Sequence, residues 1–460
     1  MKKLYIIFFS FILFSCEYFY PPEIYQTLNH ISSSVSSLSS VSSVSSVSSL
    51  KGIFVSITRG DDLNSGTNIS QPVKNINVGI DKAKTYGMTN IYVEAGIYTV
   101  GNGGLSDGYE ASLELTNVNG INITGGWDLD FIKRVGRSIL DNEKNPVYKR
   151  VLYISNSFSN TIDGFDFANT SNNSYYFGAG AFIVMSTNIT LTNCVIRNNC
   201  TPGIEGEALF MLNSLNCRLY LDIVSNTSED TSIIISISSS SSNYFKGNII
   251  GNYTSHYSPP IFKLISSSYN TIECLFSENG KNDRPSSILY LYYGDGNIIR
   301  SRIMNNTCSN YIIQLYYSSN NTISGEIINN GLTDVYYANC AMIFGGESNV
   351  IKNLVITNNL VSGTGNLNSV IYISNDYVSH LPVYMISNCI IGNTKSTLCG
   401  IFEAGAYDLS GHILKNNLFF GYFYSGYYYD VFSNYIDTID KLNDTNYTGA
   451  SEASGNVIHF

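Results

Sequence analysis

Acid–base chemistry on a substrate needs a carboxyl, imidazole or amine held beside a second polar group, and this chain has few such neighbourhoods. The densest is Asp283-Arg284, followed by Asp295, Arg300 and Arg302. Asp283, Asp295 and Arg302 are therefore the candidate catalytic residues; hydrolysis of a glycosidic bond would need two acids about 5–9.5 Å apart. Glu205 and Glu207 share a face if their segment is extended, but they read as solvated loop acids. Asp163 and Asp166 have no basic residue near them in sequence. The five histidines, His30, His256, His380, His412 and His459, have neither metal nor triad spacing. No Cys-x-x-Cys or Cys/His pattern occurs, so no metal site and no cofactor are expected. Cys194, Cys200, Cys217, Cys274, Cys308, Cys340, Cys389 and Cys399 mostly sit in apolar runs, which predicts buried free thiols. Disulfides Cys194–Cys200 or Cys389–Cys399 are the alternative. Arg59-Gly60-Asp61 spells an adhesion tripeptide, but it lies inside a turn-rich loop.

Whatever positions these residues is a repeat. Nine short apolar segments end in Asn169, Asn198, Asn226, Asn252, Asn279, Asn306, Asn330, Asn358 and Asn393, at steps of 24 to 35 residues with a mean of 28. A fixed period in this range marks a solenoid, a propeller or an array. The apolar runs are short and rich in Ile, Val, Phe and Tyr, which suits strands. A propeller blade needs roughly 40 residues or more. The pattern therefore predicts an all-β, single-stranded parallel β-helix of about 10–12 coils, ~28 residues each, with strands pairing ~4.8 Å apart from coil to coil. The nine asparagines are expected to form a ladder at the bend, because Asn tolerates the left-handed conformation and its amide can bond the same group in the next coil.

Along the chain, residues 1–16 read as a secretion signal. Lys2 and Lys3 precede an apolar run, Leu4 to Phe14, too short for a permanent membrane span. Its end, Leu13-Phe14-Ser15-Cys16, resembles the bacterial lipobox. That resemblance implies cleavage before Cys16 and acylation of its thiol, hence a lipid anchor in a bacterial membrane. Residues 17–50 are a Ser-rich linker whose apolar residues recur every third position, so no helical stripe forms and a flexible stalk is expected. Residues 51–100 read as an N-terminal cap. Ser70 is the expected N-cap and Pro72 the start of a short capping helix bearing Val73, Ile76, Ile80 and Ala83.

The order Gly60-Asp61-Asp62-Leu63-Asn64-Ser65-Gly66-Thr67, then Pro72 with its amphipathic helix, then Ile91-Tyr92-Val93-Glu94-Ala95-Gly96-Ile97-Tyr98-Thr99, resembles the N-terminal cap of right-handed parallel β-helix proteins of the pectin-lyase-like superfamily. It is most similar to a domain of unknown function that begins many bacterial members. The resemblance implies the right-handed winding. It also implies what chemistry would look like: lyases of this fold use calcium-binding carboxylates and a basic residue beside a uronate, so calcium is expected only if this chain is a lyase. The paired-Asp and basic motifs of the pectin hydrolases are absent.

Residues 101–422 are the expected coils, with a loop insertion near Gly125-Gly126-Trp127-Asp128 and Lys133, Arg134 and Arg137. A second strand per coil carries a recurring aromatic: Phe182, Phe210, Phe262, Tyr290, Phe344, Tyr372 and Phe402. The charged neighbours Lys263 and Glu403 place these rings inside by alternation, predicting an internal stack rather than an exposed sugar platform. Residues 423–460 are the expected C-terminal cap, with a short helix through Ile436, Ile439 and Leu442.

Charged residues make up 13% of the chain, well below the usual ~25%, and its net charge is −10. Nucleic acid and anionic lipid headgroups are disfavoured as partners. The expectation is an exported protein, lipid-anchored to the bacterial cell envelope at the outer membrane or cell surface. There its rod acts as a non-catalytic module for a glycan or surface-protein ligand. The alternative is a carbohydrate-active enzyme, lyase or hydrolase, of the same superfamily.

Overall fold

The computed structural model describes residues 50–460 apart from 100, 106–110, 144–149, 172–176, 202–205, 229–231, 255–258, 281–284, 334–337, 362–368, 375–383, 393–398, 405–412, 421–427, 430–434, 437–442, 444–451, 455 and 460. Lys51–Phe460 form one compact unit. The expected leader with Cys16 and the Ser-rich stretch to residue 49 lie outside the described residues, as does Asn393.

The chain winds as a parallel β-solenoid, with one sheet of 20 strands, one of 13 and two three-stranded ribbons of two-residue strands. Each strand pairs with its equivalent one coil on, so like stacks on like. In the 20-stranded sheet Phe167, Ile196, Ile223, Ile249, Phe276, Ile303, Ile327 and Ile356 form one inward column. None is more than 2% exposed. In the 13-stranded sheet Ile183, Met211, Ile237, Leu264, Leu291, Leu315 and Ile343 form the facing column. Burying each such side chain contributes about 1.5–3 kcal/mol, and branched chains suit both the pleat and the stack.

The corners are polar inside. After each long strand of the 20-stranded sheet, one residue takes the left-handed conformation and the next points inward. The inward residues are Asn199, Asn226, Asn252, Asn279, Asn306, Asn330 and Asn359. Each of the first six donates both its backbone N–H and its side-chain amide to the Oδ1 of the next, at 2.8–3.1 Å. Thr170 takes the same place one coil earlier, its N–H donating to Asn199 Oδ1. Asn169, Asn198 and Asn358, expected in the ladder, are instead the left-handed residues one position before it, at φ 62, 54 and 56°. Two jobs assigned to one asparagine are divided between neighbours: the corner residue turns the chain and the following one carries the amide bond.

Two further internal columns flank the turn that leads from the 13-stranded sheet to the 20-stranded one. Asn243, Asn270, Asn297, Asn321 and Asn349 repeat the amide ladder. Ser157, Ser186, Ser214, Ser240 and Ser267 form a hydroxyl ladder, each backbone N–H donating to the next Oγ. The buried backbone N–H groups at these positions thereby find acceptors within the protein.

The helix is Ile76–Tyr86, and its N-cap is Asn75, whose side chain accepts from the N–H groups of Asn77 and Val78. Ser70 and Pro72 precede it. Val73 is in an extended bridge with Val55, because Asp62 Oδ1 holds the N–H groups of Lys74 and Asn75 and delays the helix start. Ile76, Ile80 and Ala83 face the first coil strands, and Asn77 reaches the backbone of Ala111, Ser112 and Glu114. At the other end Tyr435–Ile436 is a strand antiparallel to Tyr428–Tyr429 rather than part of a helix, and Ile439 and Leu442 lie outside the described residues. Among the described residues no helix is long and apolar enough to cross a membrane.

Cys194, Cys200, Cys217, Cys274, Cys308, Cys340 and Cys389 form no disulfide, and all but Cys200 are buried. Cys194–Cys200 is therefore not a disulfide, and Cys389 is unpaired. Burial pushes the thiols of Cys194 and Cys274 up to about 12 and those of Cys217 and Cys389 to about 11.

Candidate functional site

The aromatics of the 13-stranded sheet point outward. Phe182, Phe210, Tyr290, Phe344 and Tyr372 alternate with buried Ile, Leu, Met and Ala, which occupy the inside. Phe262 is the exception: it pairs with Ile235 and Leu289 and faces in, so Lys263 shares its outward position with Tyr290. Inferring the face from the neighbours of Lys263 inverted the assignment for the rest, because that strand is offset by one in its aromatic.

Two aromatic groups result. Near the N-terminal end Tyr153, Phe182 and Phe210 are packed under Phe177, and the Arg150 guanidinium lies 5.2 and 4.9 Å from the Tyr153 and Phe182 ring centres. Phe182 and Phe210 are thereby sealed. Further along, Tyr290, Tyr292, Tyr293, Tyr316, Tyr317 and Phe344 form an open two-column platform. Tyr292, Tyr316 and Phe344 stack at 5.6 and 4.7 Å, the latter pair parallel within 4°, and Tyr293 stacks on Tyr317 at 5.4 Å. Edge contacts of 4.4 and 4.5 Å join the columns. Tyr293 and Tyr317 occupy the left-handed corner, at φ 52 and 48°, where earlier coils have Asn156, Met185, Asn213, Ser239 and Ser266. A bulky residue there is strained, and such outliers concentrate at functional sites.

The outer face of the 20-stranded sheet carries charge. Tyr220, Lys246, Glu273, Arg300, Ser324 and Lys352 succeed one another there from coil to coil. The Tyr244 hydroxyl donates to Glu273 Oε2 at 2.5 Å, and Arg300 donates to Oε1 at 3.2 Å. The Tyr244 bond, more than Arg300, holds the Glu273 carboxyl below its usual range. Burial and the same hydrogen bond push the Tyr244 phenol up to about 12.

Closer to the N-terminus the same face holds a compact acid–base group that sequence distance concealed. The insertion, pinned by an antiparallel bridge between Trp127 and Arg134, brings Arg134 to Asp163 Oδ2 at 2.7 Å. Asn193 donates to Asp163 Oδ1 and accepts from Arg137 Nε. Arg197, one coil on, donates from Nε to Asp166 Oδ2 at 2.8 Å. Asp166 is only 8% exposed, and its Oδ1 has no hydrogen-bond partner. Burial raises its carboxyl pKa; Arg197 and Arg137 pull it down and Asp141 adds to the rise. The basic partners of Asp163 and Asp166 come from an insertion and a neighbouring coil, positions that only the winding reveals.

The sequence-level catalytic candidates are dispersed. Asp283 lies outside the described residues. Asp295 is exposed at a corner, its Oδ1 accepting the Ser319 N–H and its own N–H donating to Ser268 Oγ. Arg302 is on the 20-stranded sheet, 2.7 Å from Glu326 Oε2. Among the described residues, Asp295 and Arg302 share no hydrogen bond or ion pair. Glu207 is buried, not a solvated loop acid, and Glu205 lies outside the described residues. Among the described residues no three of His, Cys, Asp and Glu cluster closely enough to hold a metal ion.

No family model matches the chain, and no curated protein matches it. Solved structures do. The chain is similar to the A-module of a mannuronan C-5 epimerase from Azotobacter vinelandii, with a TM-score of 0.50 and 14% identity over 84% of this chain and 94% of that one. It is also similar to the catalytic domain of a GH87 α-1,3-glucanase (TM-score 0.48, 14% identity, 90% of this chain and 70% of that one). A surface adhesin of Streptococcus pneumoniae gives a TM-score of 0.35 at 11% identity, over 82% of this chain and 91% of that one. The first of these likenesses establishes a shared parallel β-helix fold; at such identities none conveys an activity.

Proposed function

We propose that this chain is a surface-displayed rod that binds glycans without altering them, held at the bacterial envelope by an acylated Cys16 and a flexible Ser-rich stalk. The observation that carries the reading is the open platform of Tyr290, Tyr292, Tyr293, Tyr316, Tyr317 and Phe344, with two tyrosines kept in a strained corner. Sugar rings present apolar C–H faces that stack on aromatic rings, while phenol hydroxyls bond sugar hydroxyls. A repeating platform matches a repeating polymer. The test is a binding panel of neutral and acidic polysaccharides against the full chain, with Tyr316→Ser as the variant. Retention of at least one polymer, weakened about tenfold in the variant, supports the reading. Equal binding by both proteins would remove the platform. Loss of membrane association on Cys16→Ser tests the anchor.

A second reading is favoured by Asp166. A nearly buried carboxyl with one unpaired oxygen and a raised pKa, beside Arg197 and near Asp163, has the character of a proton donor. Incubation of the same panel with and without calcium, followed by mass spectrometry of the polymers, separates the two. New unsaturated or reducing ends that disappear in Asp166→Asn would make the chain an enzyme; intact polymers leave it a binder.

A further inference from the structure

The 20-stranded sheet carries a groove of about 500 Å³ on its outer face, on a different sheet from the aromatic platform. Arg300, Ser324 and Lys352 line it from three successive coils, the strands Ile298–Met304, Thr322–Ile328 and Asn349–Thr357. Coils are ~4.8 Å apart, so the two cations flank the serine at roughly 10 Å from one another. Ser324 is the shortest side chain in that row and leaves a notch between them.

Three observations make the notch an anion site. First, its cations are only partly compensated. Arg300 makes one 3.2 Å bond to Glu273 and its side chain is 57% exposed, while the other Glu273 oxygen is engaged by Tyr244. Lys352 has no ion pair among the described residues. Second, the strand Asn349–Thr357 bulges where it faces Ser324. The extra residue, Asn353, is left-handed at φ 52° and lines the groove. A bulge turns a side chain out of the regular alternation, and bulges gather beside functional sites. Third, the chain as a whole is acidic, at −10, so a groove lined by two cations and no acid is a local reversal that focuses the field on an anion.

We infer that this groove binds an acidic sugar unit, its carboxylate or sulfate between Arg300 and Lys352. Thr322 and Asn353 face its hydroxyls, and Ile298 meets the apolar side of its ring. The anion site stands on the groove alone; that the anion belongs to a sugar rests on the glycan-binding reading. Arg300 and Lys352 bind and orient; no bond is made or broken.

The experiment is affinity electrophoresis of the full chain through dextran, polyglucuronate and dextran sulfate of matched length. Expected is tighter binding to an anionic polymer than to dextran. Arg300→Gln and Lys352→Gln should each weaken it about fivefold, and Ser324→Glu should abolish the difference. Binding to dextran stays unchanged in all three. Preference for polyglucuronate assigns a carboxylate, and preference for dextran sulfate assigns a sulfate. The inference is overturned if anionic polymers bind no better than dextran, or if the groove variants leave their affinity unchanged. It is also overturned if Lys51→Gln, distant in sequence and exposed, weakens binding equally, since attraction would then be diffuse. Tyr316→Ser separates the two sites. If it weakens neutral binding while the groove variants do nothing, the platform stands and the groove falls; the reverse pattern keeps the groove and removes the platform.

Discussion

Asn279 donates twice to one atom, Asn306 Oδ1: from its side-chain amide at 2.8 Å and from its backbone N–H at 3.0 Å. Its own Oδ1 accepts the same pair of bonds from Asn252. The column is thus a buried chain of amides, each acceptor serving two donors, and it cannot be broken at one place without orphaning groups on the coil behind. Asn279→Ala leaves the Asn252 N–H without its acceptor and removes one bond of Asn252 Nδ2, which keeps the Ile223 and Ile250 carbonyls, and should reduce stability by about 2–4 kcal/mol in urea unfolding. Asn279→Asp should reduce it further at neutral pH, because a carboxylate there faces Asn306 Oδ1 and the Ile249 carbonyl, both acceptors. An unchanged urea midpoint for Asn279→Ala would sink the claim that the ladder holds the corner.

Adjacent asparagines should respond in opposite ways. Asn198 is left-handed and half-buried, whereas Asn199 is buried and bonded to Asn226. Asn198→Gly should change stability by less than about 0.5 kcal/mol, since Gly adopts positive φ freely. Asn199→Gly should lower it by about 2 kcal/mol or more, through the lost amide. Equal effects in thermal unfolding would mean that the two roles are not divided as the hydrogen bonds indicate.

Periodicity and short β-rich runs made the solenoid legible, because each coil must repeat the apolar column of its neighbours. The phase within the repeat was harder. In Asn198-Asn199, Asn305-Asn306, Asn329-Asn330 and Asn358-Asn359 either residue fits a ladder, and only hydrogen bonding between coils chooses the second. The other amide column did leave a mark, Ser or Gly three residues before Asn, as in Ser240–Asn243, Ser267–Asn270, Gly294–Asn297, Ser318–Asn321 and Gly346–Asn349. The aromatic face was misread from Lys263, whose strand carries its ring offset by a residue, and from Glu403, whose place in the register is that of buried Ile373; a one-residue offset inverts a strand. The Asp163 and Asp166 partners were invisible for a different reason: Arg134 is 29 residues from Asp163 and Arg197 is 31 from Asp166, separations that mean contact only once the coil length is known.

Tyr293 offers a test in which stability and binding part. It is 51% exposed at φ 52° and touches Tyr292 and Tyr317. Replacing it with Asn relieves about 1 kcal/mol of left-handed strain and forfeits ring contacts of similar size. Tyr293→Asn should therefore melt within a few degrees of the parent while its glycan affinity falls about three- to tenfold. A large drop in melting temperature would instead make the ring a structural element, and the strain argument for function would fail.

The Asp166–Arg197 pair should give stability a distinctive pH dependence. Burial raises the folded-state pKa of Asp166 above its ordinary 3.8, and Arg197 opposes that rise. For a group raised on folding, the stabilising contribution is complete below the unfolded pKa and is lost as pH climbs through the folded value. Removing Arg197 lifts the folded pKa further, so the loss becomes larger and extends to higher pH. Arg197→Gln should then differ little from the parent near pH 3, where Asp166 is protonated in both. At pH 7, where a carboxylate is left buried with Asp141 nearby and only Arg137 to offset it, it should be less stable by about 1–3 kcal/mol, a range reduced for the partial exposure of the arginine. Urea unfolding across pH 3–8 reads the gap directly, and carboxyl NMR locates the Asp166 titration. A gap that does not grow with pH would mean that Arg197 does not favour the ionised form of Asp166, and a carboxyl titration no higher than the ordinary 3.8 would withdraw the main support for reading Asp166 as a proton donor.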